Sequence, residues 1–206
     1  FSSAASRFEH RRDLVVQEAN AIGTAYLRLD LLDRSAQDEL RPLFRDYVAS
    51  RLASYRAIDQ GEEAFREGYA RSVAIQNQIW KRAVAATEHK SSPAVMTLVL
   101  TPINEMIDMT TTRVAALRAH PPAIIFILLG VFAITGALIA GYGMAMARRR
   151  YWLHMLLFAI GVAGTVYVII DLEYPRRGLI RVDSIDEHLE DVLVSMQPLS
   201  QTDMKK

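Results

Sequence analysis

Two uncharged runs constrain this chain more than anything else in it. PPAIIFILLGVFAITGALIAGYGMAMA, residues 121–147, is 27 residues without Asp, Glu, Lys or Arg, and YWLHMLLFAIGVAGTVYVII, residues 151–170, is 20 more. Helices of these lengths reach roughly 40 Å and 30 Å, against a hydrocarbon core of about 30 Å. Pro121 and Pro122 suit a helix start, where the missing N–H costs nothing. Tyr151 and Trp152 stand where interfacial aromatics are expected. A buried hairpin in a soluble core is the alternative, but two such runs are too much apolar length for a chain of 206 residues to enclose. The runs predict two transmembrane helices. The mean hydropathy of +0.10 conceals them, because residues 7–118 are dense in Arg, Asp and Glu.

Arg148, Arg149 and Arg150 form the whole connection between the runs. A short cationic loop is retained on the cytoplasmic side, which predicts an extracytoplasmic position for residues 1–118 and for the tail. Arg113, Arg118, Arg176, Arg177 and Arg181 flank the opposite ends and oppose this, although they lie in longer segments mixed with acids. Gly130, Gly136, Ala140, Gly141 and Gly143 in the first run, with Gly161, Ala163 and Gly164 in the second, read as positions of close helix packing. His154 lies one turn from the arginine end and reads as interfacial, as do Tyr142 and Tyr167 near the span ends.

The region before the runs reads as long helices. Phe8, Val15, Ile22 and Leu29 recur every seven residues, with Ala19, Ala25, Tyr26 and Leu32 beside them, predicting one helix over 4–33. Ser35 with Asp38 predicts a capped start for a second helix, and Pro42 predicts a kink or restart within it. Its apolar side is expected at Leu43, Tyr47, Leu52 and Tyr55. A third helix is expected over 62–89 after Gly61, and a fourth after Ser92 and Pro93, broken at Pro102. Residues 171–182 read as an extended exit, followed by a short helix begun by Ser184 and Glu187, with Leu189 and Val192 on its apolar side. The tail from Pro198 reads as disordered. The expected fold is an all-α membrane protein: a helical extramembrane bundle at 1–118, a transmembrane hairpin at 119–172 and a C-terminal extension at 173–206.

No pattern specifies a reaction. There is no cysteine, and the five histidines lack ligand spacing, so neither a metal nor a cofactor is expected. Catalytic motifs such as GxSxG or a phosphate-binding glycine loop are missing, and no enzyme is expected. A net charge of +1 argues against a nucleic-acid partner. Glu18 lies beside the apolar stripe of the first helix and needs a partner if buried; Arg113 is the candidate, giving a polar contact between the first and fourth helices. Such a pair is either a structural tie or an ion or ligand contact. Asn104, Glu105 and Asp108 are weak candidates for an ion contact, with a solvated face as the plainer reading. Gln76, Asn77 and Gln78 read as an exposed amide run.

Four stretches resemble the bestrophin-like domain family of multi-pass membrane proteins in bacteria and plants. They are EANAIGTAYLRLDLL (Glu18 to Leu32), the Arg-Asp-Tyr-Val at 45–48 with Arg51, INEMID (Ile103 to Asp108) with Arg113, and DLEYPRRGLIRV (Asp171 to Val182). The resemblance runs in order over nearly the whole chain. It implies two further spans ahead of the EANAIG stretch, with Phe1 near the end of one of them. The family name suggests a relation to bestrophin anion channels, whose helical insert between span pairs is cytoplasmic, the reverse of the orientation that the arginine loop predicts. By analogy the resemblance implies an ion channel or transporter in the plasma (inner) membrane, a homo-oligomer surrounded by the lipid bilayer. The other reading is a membrane-anchored sensor or scaffold whose helical domain binds a partner.

Overall fold

A computed structural model describes residues 2–88, 92–119, 121–145, 152–173 and 183–197, and all regular structure among them is helical. Helix α1 spans Ser2–Arg28 and tightens into a 3-10 turn at Leu29–Leu31. The expected helix over 4–33 therefore ends early, because buried Leu29 accepts the Leu32 N–H at 3.0 Å and the chain turns there. Helix α2 spans Arg34–Arg56. Its cap is Asp33, whose carboxylate accepts the Ala36 N–H at 2.9 Å, and Ser35 lies inside the first turn rather than before it.

Pro42 does not interrupt α2. Four residues back lies exposed Asp38, whose carbonyl water can satisfy, while buried Leu40 and Phe44 hold the helix on either side of the proline. Gly61 supplies a φ of 123° that a side chain would strain, and α3 follows at Glu62–Glu88. Helix α4, Pro93–Arg118, has Ser92 Oγ accepting the Val95 N–H at 3.4 Å, and it too runs unbroken through its internal proline. Pro102 is buried between Val99 and Ile103, and the carbonyl it frees belongs to exposed Leu98. Packing outweighs one lost hydrogen bond at each proline.

The chain divides into two compact units. One comprises His10–Ala116 and Val182–Lys206. Its core draws Leu14, Val15 and Ile22 from α1, Leu40, Phe44 and Val48 from α2, Ile75 and Ile79 from α3, and Ile103 and Met106 from α4. Helices α2 and α3 meet along small residues. Ser50 and Ser72 share a hydrogen bond of 2.9 Å, and a Cβ at Gly68 would lie 2.8 Å from the Ser54 Cβ. Helix α7, Asp183–Ser195, lies on α2 with Leu189 and the following Met196 buried. Tyr26 and Arg45 donate to the Met196 carbonyl at 3.2 and 3.4 Å, and Arg56 pairs with Glu190.

The other unit comprises Phe1–Glu9 and Leu117–Arg181. It holds α5, Ala123–Ala145, and α6, Trp152–Glu173. Both are long and apolar enough to cross a membrane. Asp171, Leu172 and Glu173 complete α6 instead of beginning an extended exit. Phe126, Leu129, Ala133, Gly136 and Ala140 are half-buried at three- and four-residue spacing, the pattern of a paired helix face. A Cβ at Gly136 would sit 3.6 Å from the Phe158 ring. The remaining surface is bare: Phe132, Leu138 and Ile139 are 65%, 68% and 69% exposed.

Candidate functional site

The site grows out of the heptad of α1. Arg11, Leu14, Val15, Glu18, Ala19, Ile22 and Ala25 share one buried face, so helical periodicity alone carries a carboxylate into the core. Glu18 and Arg51 have no exposed surface and Arg113 is 5% exposed, which takes three formal charges out of water. Arg51 reaches the core on the spacing of Tyr47 and Tyr55 along α2, and Arg113 on that of Met106 and Thr110 along α4.

Glu18 is the shared acceptor. Arg51 Nε donates to Oε1 at 2.8 Å, Arg113 Nη1 donates to Oε2, and the Tyr55 hydroxyl lies 3.1 Å from Oε2. Arg51 Nη2 donates to the Tyr55 oxygen. Both guanidinium carbons stand over the Tyr55 ring, at 4.5 and 3.6 Å from its centroid, adding cation–π attraction in a desolvated setting. Arg11 Nε donates to the Ala116 carbonyl at 3.3 Å and gives α1 a second tie to α4. One carboxylate thus joins α1, α2 and α4. Breaking a buried pair from one side costs about 3–5 kcal/mol, since it strands the remaining charge.

A neutral layer lies beside the charges. The Tyr47 and Thr110 hydroxyls are 2.7 Å apart, and Gln76 Nε2 donates to them at 3.1 and 2.9 Å. Burial, then the charge of Glu18, pushes the Tyr47 phenol up to about 12, so it remains a neutral hydrogen-bonding group. This layer corrects the amide-run reading, because Gln76 is buried and bonded while Asn77 and Gln78 are exposed. Gln76 shares the spacing of Ser72, Ile79 and Ala83, a signal that was present in the sequence.

Glu18 and Arg113, the pair expected from the sequence, are therefore in contact. Sequence reasoning missed Arg51 and Tyr55 as their partners. Asn104, Glu105 and Asp108 are exposed, and Asn104 Nδ2 donates to Asp108 at 3.0 Å. Among the described residues no group of His, Asp or Glu is arranged to hold a metal ion. Arg148, Arg149 and Arg150 lie outside the described residues. Both oxygens of the Glu18 carboxylate are engaged, so the arrangement suits a rigid tie between helices better than proton transfer or nucleophilic attack.

Nothing among curated proteins and nothing among solved structures matches the chain. The family model of the Bestrophin-like domain matches residues 1–185, which takes in the Glu18 cluster, both apolar helices and the start of α7. The chain belongs to the Bestrophin-like domain family.

Proposed function

We propose that the chain is the bundle and hairpin of a multi-pass plasma-membrane protein that assembles as a homo-oligomer and passes ions. The observation carrying this reading is the bare apolar surface of α5 and α6. A half-buried face covers one side of each helix, Phe126, Ala133 and Gly136 on α5 and Val162, Val166 and Ile169 on α6, while the glycines Gly130, Gly143, Gly161 and Gly164 are exposed, and the rest asks for lipid and for further helices. Family membership supports the choice of ion passage over other membrane roles, by analogy with the bestrophin channels. The reading assigns no catalysis, because the Glu18 carboxylate is taken up in a tie between helices. The arginine loop favours a cytoplasmic position for residues 148–150.

Flux through liposomes carrying the full-length protein tests this. Conductance for a common anion or cation is expected, and none for either would remove the proposal. A sensor or scaffold role is favoured by one separate observation. Val16 and Leu27 on α1, with Leu31 in the 3-10 turn after it, are exposed apolar residues on the side opposite the buried face and suit a protein partner.

A further inference from the structure

The Glu18 cluster does not balance its charge. Arg51 and Arg113 bring two cations and Glu18 brings one anion, leaving +1 in a region closed to water. Among the described residues of this unit Glu18 is the only buried acid, while Arg11 is a further buried cation. Tyr47 does not supply the missing negative charge, since its phenol stays protonated up to about 12. Both Glu18 oxygens already accept hydrogen bonds, Oε1 from Arg51 Nε and Oε2 from Tyr55 and Arg113. Yet Arg51 Nη1, which carries two N–H groups, is buried without a hydrogen-bond partner. Unsatisfied charge-bearing donors in a core are among the most costly features a fold contains.

We infer that Arg51 Nη1 is the binding point of one small monovalent anion, halide in size, that balances the charge of the cluster of Glu18, Arg51 and Arg113. A halide accepts N–H bonds from a guanidinium and contributes the single negative charge that is lacking. A bulky carboxylate cannot follow it into a closed core. The bound ion is a structural counter-ion of α1, α2 and α4, and it is independent of the ion-passage reading because its effect is on folding.

The test is thermal unfolding of the full chain in detergent, titrated with sodium chloride or bromide against sodium gluconate at constant ionic strength. A ligand of the native state raises Tm with concentration, by roughly 3–5 °C for each tenfold step above its dissociation constant in a protein this size. Chloride and bromide should show that rise, and gluconate should not. Arg113→Met removes the surplus cation and should abolish the halide response. Should that variant fail to fold, the wild-type salt series still decides. Equal Tm in all three salts, or an equal halide response in Arg113→Met and wild type, would overturn the inference and leave water as the partner of Nη1.

Discussion

Gly68→Ala should destabilise this protein although the substitution usually strengthens a helix. In an open helix interior, Ala gains about 0.8–1 kcal/mol over Gly. At Gly68 the new Cβ would meet the Ser54 Cβ at 2.8 Å and the Ser54 Cα at 2.9 Å. Carbon pairs prefer roughly 3.5–4.0 Å, so α2 and α3 must separate by about 0.7–1.2 Å. Backbone cannot yield as a flexible side chain would. The Ser50–Ser72 hydrogen bond, 2.9 Å long and in the same seam, would stretch with that separation. Overpacking costs about 1–3 kcal/mol and a lost hydrogen bond about 0.5–1.5 kcal/mol, against the propensity gain of about 1 kcal/mol. The net loss is about 2 kcal/mol, or roughly 4–8 °C in Tm at this chain length. Gly23→Ala is the control, because nothing lies within 4 Å of a Cβ there, and Tm should hold or rise. Both are read by circular dichroism melts in one detergent. If Gly68→Ala matches or exceeds wild type, the close approach of α2 and α3 is wrong.

Tyr47 predicts an alkaline loss of stability. Its raised pKa means that the folded state keeps a proton the unfolded chain releases, so its contribution is full below 10.0 and falls as pH climbs towards 12. Denaturant titrations across that window should show wild type losing stability faster than Tyr47→Phe, and parallel slopes would contradict the burial of the phenol. Orientation is open to labelling, helped by the absence of cysteine. With Arg148, Arg149 and Arg150 holding the loop inside, a cysteine at Ala147 should resist impermeant thiol reagents in intact cells and one at exposed Gln60 should label. The reverse pattern would put the bundle in the cytoplasm.

The apolar helices and the buried face of α1 were legible because each obeys one period. Glu18 fell on that face, and its burial demanded a cation, so Arg113 could be named from the sequence. Arg51 could not be singled out in the same way. It is one of several arginines along α2, and the apolar side expected there included Leu43, which is half-buried, where the real face runs through Phe44, Tyr47, Val48, Arg51 and Tyr55. A guanidinium occupying an apolar spacing looks like a surface charge until its partner is known. Pro42 and Pro102 misled for a different reason. Local propensity scores the lost hydrogen bond but not the buried neighbours that keep each helix continuous through it. The Asp33 cap is masked by Ser35 with Asp38, a more familiar spacing, though only Asp33 has the extended backbone of a cap, at φ −64° and ψ 160°.

One carboxylate holds three helices through two arginines. A double-mutant cycle of Glu18→Gln and Arg113→Met, with unfolding measured in detergent, tests it directly. Glu18→Gln alone should cost about 3–5 kcal/mol, because it leaves two buried guanidiniums without a counter-charge. Adding Arg113→Met to it should cost little more, giving an interaction energy of at least about 1 kcal/mol, as residues in contact show. Losses that add to within about 0.5 kcal/mol would contradict the shared contact, as would a Glu18→Gln protein as stable as wild type.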